Sequence, residues 1–507
     1  MKGLEFHKQV PKNIIVNIFS FIFTILIGLW LTPYLLKHLG IIAYGFIPLA
    51  MFLSQYVSVI VNSINISIGR FLLISLQKNK EIESNEIFNT SLIIILFFIL
   101  LQSLIMAILL FDIRLFFNIP NELIEDLKWL FGLTFLGFSI SLFRSVFGTS
   151  LFAYNRLDIL RIIDIFQNLV RVITIVILFI YDEPSLKYVG IANLLASIIA
   201  FIPTLYFYKL YTPKLKINIF LFRRQRVSEL SKMSTWILIN QVGVLLLGNL
   251  DLYLVNTLLG AKATGEYAII LQVTTLFKTM SGLLGGVLAP VIMIYYTNQE
   301  HDKLKNILML TSKIMAIFMI IPLAIFIYFS GDLISIWLGE EFRYLENILS
   351  FSLLSLILSI PVIPLFSANI AYNKIKLPAI LTILFGLFNI LCIYLLIIYT
   401  DLGLWSIVLA KLIYEFIYNA IFIPIYVSKI IQTQYLSFLM IPITSIISFV
   451  MAYIIIGFFT YYLYISTFWE ILFFSILLFI FLFPLLFFLF ISKEERIFLS
   501  KRYIKGK

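Results

Sequence analysis

Runs of about 20 or more apolar residues, bounded by charges or turn residues, fill most of this chain and restrict it to one kind of fold. Between Phe88 and Phe111, for example, no charged residue occurs. A run of this length crosses a hydrocarbon core of roughly 30 Å as a helix, whereas an outer-membrane strand would alternate apolar and polar residues over about ten positions. With 62% hydrophobic residues and a mean hydropathy of +1.05 over 507 residues, the chain lies far outside the range of a soluble domain. About fourteen spans are expected, near 13–36, 41–69, 88–111, 129–153, 159–181, 186–208, 232–258, 266–296, 307–330, 347–372, 376–400, 402–427, 435–460 and 466–492. The expected fold class is an all-α polytopic membrane protein. The first span is too long for a signal h-region and no small-residue cleavage site follows it, so the amino-terminal segment is expected to be retained. The single Cys392 sits within a span, which excludes an intramolecular disulfide and supports no metal site.

The chain also repeats itself. Leu39-Gly40-Ile41-Ile42-Ala43-Tyr44-Gly45 returns as Leu259-Gly260-Ala261-Lys262-Ala263-Thr264-Gly265, displaced by 220 residues. Ala153-Tyr154-Asn155-Arg156 returns as Ala371-Tyr372-Asn373-Lys374 after 218, and Phe201-Ile202-Pro203 as Phe422-Ile423-Pro424 after 221. Three strings in one order at nearly one offset indicate a duplicated unit of six spans. Both halves then enter the bilayer in the same direction, as parallel repeats, and the expected architecture is two lobes around a central cavity. The boundaries read as an N-terminal six-helix lobe over 1–208, a basic linker over 209–231, a second six-helix lobe over 232–428, and an extra helix pair with a basic tail over 429–507.

Charge gives an orientation. With the amino terminus in the cytoplasm, 27 of the 37 Lys and Arg residues fall in inner segments, 6 in outer segments and 4 within spans. By the positive-inside rule both termini are cytoplasmic and the span count is even, as in a protein of the cytoplasmic (inner) membrane. Topology and attraction to anionic lipid then explain the net charge of +11, and nucleic acid is not needed as a partner. Trp129, Trp337, Trp405 and Trp469 fall near the outer ends of spans and read as interfacial anchors.

Twelve spans in two related halves plus two more, LG-x4-G between the first two spans of each half, and the AYN-basic loop between spans four and five together resemble a known family. It is that of the polysaccharide transporters and O-antigen flippases within the multidrug/oligosaccharidyl-lipid/polysaccharide exporter superfamily. The resemblance covers about residues 10–430. It implies a protein that moves a polyprenyl-(di)phosphate-linked oligosaccharide, such as an O-antigen or other surface polysaccharide repeat unit, from the inner to the outer leaflet by alternating access. The partners implied are that lipid-linked oligosaccharide, membrane lipids, a coupling ion (proton or sodium) and a polysaccharide polymerase. No cofactor and no catalysis are implied.

The residues themselves point to polar faces inside the bundle. Gln55, Ser58, Asn62, Asn65 and Gly69 share one face of the second span, and adding 220 gives Thr275, Lys278, Gly282, Gly285 and Ala289 in the eighth. Arg161, Asp164, Asn168 and Arg171 line the fifth span, Asn13, Asn17, Ser20, Thr24 and Gly28 the first, and Asn240, Gly248 and Asp251 the seventh. A charge facing lipid at mid-bilayer costs roughly 3 kcal/mol or more, so these lines face protein or water. Close helix packing is the competing explanation for the small-residue faces. Asn62, Asp164, Asn168 and Asn240 are the candidate cavity-lining residues.

Seven charges are read as lying in the membrane. Arg144, Arg171, Lys278 and Lys411 are candidate substrate-binding residues, because cations replace part of a diphosphate's hydration in a low-dielectric passage. The competing reading pairs Asp164 with Arg171 and Lys411 with Glu415. Asp251, with no partner in its own span, is the first candidate for cation coupling and Glu415 the second; a hydrogen-bonded structural carboxylate is the alternative for each.

Two other classes bear comparison. A multidrug or cation antiporter of the same superfamily shares the fold, but its cavity would be dominated by acids, whereas the balance here leans slightly basic. A membrane enzyme of glycan assembly, such as a polymerase, ligase or acyltransferase, fits less well: His7, His38 and His301 are scattered and no long outer loop offers an active site.

Overall fold

The computed structural model describes residues 3–497, apart from 79, 249, 298–299, 373, 375 and 464–466. Among the described residues the structure is overwhelmingly helical, with no strand. This is the outcome hydrocarbon imposes, because a helix satisfies its own backbone polar groups. Twelve helices are long and apolar enough to cross a membrane. The first of them, Pro11–Leu76, is long enough for two crossings, and the expected seventh span coincides with two helices outside the twelve, so each of the fourteen expected spans coincides with helix among the described residues. The protein is a multi-pass all-α membrane protein.

The chain forms two compact units, residues 1–268 and 269–507. The first contains α1 (Gly3–Gln77), α2 (Glu81–Phe111), α3 (Ile124–Ala153), α4 (Leu157–Tyr181), α5 (Leu186–Tyr211), α6 (Arg224–Gly248), α7 (Leu250–Leu259) and the first two turns of α8 (Ala261–Thr297). In α1 the two crossings are joined at Gly40, whose φ of 77° breaks the helical path; Gly260, its counterpart between α7 and α8, has a φ of 90°. An L side chain is disfavoured in this region, which accounts for the first glycine of each LG-x4-G string. The core of this unit is a set of aromatic and branched side chains on α1, α2 and α3, including Ile68, Leu72, Phe88 and Phe147, none more than 1% exposed.

The AYN-basic string makes a buried knot at the start of α4. Asn155 adopts a φ of 56°. Its carbonyl and side-chain oxygens both accept from Asn13 Nδ2 at 3.0 Å, and Asn13 Oδ1 in turn accepts the Asp158 backbone N–H at 3.0 Å. The Asp158 carboxylate, fully buried, accepts from Gln9 Nε2 at 2.8 Å and pairs with Lys12 at 3.0 Å and Arg156 at 3.0 Å. The Arg156 guanidinium also lies over the Tyr211 ring, 5.0 Å from its centroid. One acid thus joins the beginnings of α1 and α4 to the end of α5.

The second unit takes the rest of α8, followed by α9 (His301–Tyr328), α10 (Ser330–Leu338), α11 (Glu346–Ser359), α12 (Ile363–Ala371) and α13 (Lys376–Tyr399). After these come α14 (Trp405–Tyr414), a π-helical stretch Glu415–Phe422, α15 (Ile423–Ile431), α16 (Leu436–Tyr462) and α17 (Phe468–Phe490). The π-helical stretch carries part of a column of rings, Tyr414, Tyr418, Phe422 and Tyr426, stacked at centroid separations of 5.5, 5.6 and 5.4 Å. Its widened turn keeps residues four apart nearly in line, which favours this stacking. The last two helices, α16 and α17, pack on α9, where Tyr328 Oη and Thr460 Oγ1 are 2.6 Å apart. Lys313 and Glu495, both largely buried, pair at 2.8 Å and tie the segment after α17 to the same helix.

Candidate functional site

In the first unit the charged line of α4 meets α3 and α1. Asp164 sits in a fork, accepting from Arg144 Nη2 at 2.9 Å through one oxygen and from Arg161 Nη1 at 3.3 Å through the other. Arg161 also donates through Nε to Asn17 Oδ1 at 2.8 Å. Both Asp164 oxygens are therefore occupied, and the expected alternative of an Asp164–Arg171 pair is not formed. The reason is direction: Arg144 approaches from α3, a partner that spacing along one helix cannot reveal. Arg171 is half-buried, and its Nε is sealed from solvent without a hydrogen-bond partner among the described residues; the same holds for Arg144 Nη1. Leaving a buried guanidinium nitrogen unmatched is costly, so an acceptor would be stabilising at each of them. Asn168, between Asp164 and Arg171, is half-buried.

The polar face of the second crossing divides in two. Asn62 is exposed, whereas Asn65 donates to Ser145 Oγ at 2.8 Å and Gly69 lies beneath the Phe152 ring. The corresponding face of α8 behaves alike: Thr275, Lys278 and Gly282 are exposed, and Gly285 is packed on Ile363. Each face is exposed over one stretch and in helix contact over the next. Gln55 and Ala289 lie outside the residues whose side chains are described, as does Asn240. The line on the first span is mostly structural. Asn13 and Asn17 bond to α4, and Thr24 Oγ1 donates to the Ser20 carbonyl of its own helix at 2.8 Å.

In the second unit Glu415 opens the π-helical stretch and is buried, with 4% of its surface exposed. Asn419 Nδ2 donates to its Oε2, and Lys278 of α8 and Lys411 of α14 both lie close enough to act on it electrostatically. Lys411 is buried and Lys278 exposed. The expected i, i+4 partner Lys411 thus shares its acid with Lys278, which comes from α8. Nearby, Thr382 Oγ1 and Tyr418 Oη lie 2.8 Å apart.

Asp251, in the first turn of α7, is fully buried. Its partner comes from another helix: Tyr267 Oη donates to Oδ2 at 3.1 Å, and Tyr56 of α1 is close enough to feel the carboxylate's charge. No local pattern links Asp251 to Tyr267, except that the tyrosine follows the second LG-x4-G string by two residues. In the same unit Asn256 Oδ1 accepts the Asn118 backbone N–H at 2.9 Å, and its Nδ2 donates to Thr264 Oγ1 at 3.1 Å.

The second unit also carries an apolar groove of about 400 Å³. Phe277 and Met280 of α8, Pro322 and Phe326 of α9, and Phe468 and Phe479 of α17 are among the side chains that line it.

Comparison with known proteins agrees with this architecture. The chain is 30% identical over 423 residues to the membrane protein EpsK of Bacillus subtilis (strain 168), covering 82% of this chain and 83% of that protein. Among solved structures it is similar to the lipid II flippase MurJ in an inward closed conformation, with a TM-score of 0.62 at 17% identity, over 93% of this chain and 97% of that one. It is similar to the same degree, with a TM-score of 0.62 at 15% identity, to an inward-facing multidrug resistance MATE family transporter of the MOP superfamily, over 82% and 96% of the two chains. At these identities the likeness concerns the fold. The family model described as "Polysaccharide biosynthesis protein" matches residues 10–296, more than half of the sequence, and this chain belongs to that family.

Proposed function

We propose that this protein is a flippase that carries a polyprenyl-(di)phosphate-linked oligosaccharide from the cytoplasmic to the outer leaflet by alternating access of its two six-helix halves. The observation that carries the reading is the pair of buried guanidinium nitrogens, Arg144 Nη1 and Arg171 Nε, without acceptors among the described residues of a membrane-embedded unit. An anionic head group supplies acceptors, and guanidinium suits phosphate geometry. Arg171 is the principal contact, because Arg144 already engages Asp164 whereas Arg171 forms no ion pair among the described residues. Lys278 and Lys411 form the second cationic station, moderated by Glu415. Asn62 and Asn168 line the sugar path. The groove over α8, α9 and α17 accommodates a polyprenyl tail, its lining being almost wholly apolar.

The orientation that fits the charge bias places both termini in the cytoplasm of a cell whose inner membrane holds the protein, with a polysaccharide polymerase receiving the product on the other side. Export against a concentration difference needs an energy source. Asp251, a buried carboxylate, is the residue assigned first to proton or sodium coupling, and Glu415, also buried, is the second choice. The membership in a polysaccharide biosynthesis family favours this reading over a drug antiporter of similar fold.

The test is complementation of a deletion strain. Arg171→Ala is expected to remove surface glycan and to accumulate lipid-linked oligosaccharide on the inner leaflet at normal protein levels, with Arg171→Lys restoring part of the activity. Normal surface glycan in Arg171→Ala, or a deletion that changes only drug resistance, would overturn the proposal.

A further inference from the structure

The segment between α5 and α6, which includes a short 3-10 turn at Ile219–Leu221, is not a free loop. It lies extended against α2, held by side chains one turn apart. Asn85 accepts the Lys216 N–H at 2.7 Å and donates to the Lys214 carbonyl at 3.1 Å. Asn89 donates to the Lys216 carbonyl at 2.9 Å and accepts the Asn218 N–H at 2.7 Å. Thr90 Oγ1 accepts the Arg223 N–H at 3.1 Å. These bonds satisfy backbone groups that would otherwise require water, so the segment can sit at a water-poor boundary.

With its backbone turned to α2, the segment buries Leu215 in the core and presents three other apolar side chains outward. Ile217 is 60% exposed, Ile219 69% and Phe220 91%. The flanks are basic. Lys214 pairs with Glu81 and Arg223 with Glu86, but Lys216 and Arg224, both exposed, form no ion pair among the described residues. The neighbouring helices carry exposed apolar residues at the same end, Ile82 on α2 and Leu210 on α5, at 76% and 56%.

We propose that this segment is an interfacial anchor that binds anionic phospholipid, its Ile219–Phe220 tip seated among the acyl chains and Lys216 and Arg224 contacting head-group phosphates. An aliphatic and aromatic tip between two unneutralised cations matches a negatively charged leaflet, where amphipathic elements gain from apolar burial and from surface charge together. In the orientation proposed above, that leaflet is the cytoplasmic one. The assignment needs no assumption about what the protein transports.

The experiment uses the full chain in nanodiscs of phosphatidylcholine, with or without phosphatidylglycerol. In a Cys392→Ser background, Phe220→Cys is labelled with a nitroxide and its accessibility to oxygen and to an aqueous nickel complex is measured. The expected result is high oxygen and low nickel accessibility, deeper with phosphatidylglycerol, and an anionic-lipid preference that falls at least about fivefold in Lys216→Glu/Arg224→Glu. A nickel-accessible label in nanodiscs of both compositions overturns the proposal. So does a lipid-embedded label that responds neither to phosphatidylglycerol nor to charge reversal. A label shielded in native membranes but nickel-accessible in nanodiscs also overturns it, and assigns the surface to a protein partner.

Discussion

Gly45 and Gly265, the second glycines of the two LG-x4-G strings, pack directly against each other: a Cβ on Gly45 would lie 2.5 Å from the Gly265 nitrogen, and one on Gly265 would run into the Ile41 carbonyl. The repeated string has therefore kept a glycine in each copy for a shared reason, a backbone-to-backbone approach between the second crossing of α1 and the start of α8. Replacing Gly265 with alanine gains up to about 1 kcal/mol of helix propensity, but overpacking of rigid backbone costs about 1–3 kcal/mol. Gly265→Ala is expected to lower the thermal unfolding temperature in detergent. Gly282→Ala, on an open stretch of α8 with no atom within 4 Å of a new Cβ, is expected to leave it unchanged or raise it.

Asp158 is the second point at which one residue holds several elements. Its carboxylate is buried, so Asp158→Ala strands Arg156 and removes the acceptors for Gln9 and Lys12. Breaking a buried pair in this way costs about 3–5 kcal/mol. Lys12 is 54% exposed, and an exposed partner contributes about 0–1 kcal/mol. Denaturant or thermal unfolding should separate the two variants clearly, Asp158→Ala being severe and Lys12→Ala mild. Equal effects would show that the hub is not organised around the acid.

The class of fold was legible because uninterrupted apolar runs have no other stable outcome in lipid, and the LG-x4-G strings were legible because a positive φ and a close approach both require glycine. Partners between helices were not. Asp164 with Arg144, and Asp251 with Tyr267, depend on the rotation of each helix about its axis, which a stripe of polar residues defines only to within a wide arc. The π-helical stretch Glu415–Phe422 was hidden for a related reason: Tyr414, Tyr418, Phe422 and Tyr426 are spaced as they would be on an ordinary α-helix. The AYN-basic string was visible as a repeat, but its work in the first unit is capping and burying Asp158, and nothing in its own four residues names Asn13 or Tyr211 as partners.

The Asp164 fork makes a prediction that sequence spacing alone reverses. Arg161 is on the same helix at i−3, but its side chain is 53% exposed, against 16% for Arg144 on α3. The less solvated pair should be the stronger, since water screens Arg161. Double-mutant cycles with Asp164→Asn are expected to give a coupling of about 1.5–3 kcal/mol for Arg144 and below about 1 kcal/mol for Arg161. Unfolding free energies of the single and double variants supply the measurement.

Asp251 and Glu415 differ in their surroundings, and this separates their proposed roles. Glu415 is flanked by two lysines, which compensate a negative charge whatever ion gradient is imposed. At Asp251 the Tyr267 hydroxyl donates to the carboxylate at 3.1 Å and Tyr56 lies within electrostatic reach, and the role proposed there is uptake of the coupling ion. Asp251→Asn keeps an acceptor for Tyr267 and should preserve the fold while removing the exchangeable charge. In proteoliposomes carrying a lipid-linked oligosaccharide analogue, Asp251→Asn is expected to abolish the response to imposed proton and sodium gradients. Glu415→Gln is expected to slow translocation yet keep that response, because it alters the charge balance around Lys278 and Lys411 rather than the coupling step. The opposite pattern, with gradient response lost in Glu415→Gln and kept in Asp251→Asn, would move the coupling role to the second unit.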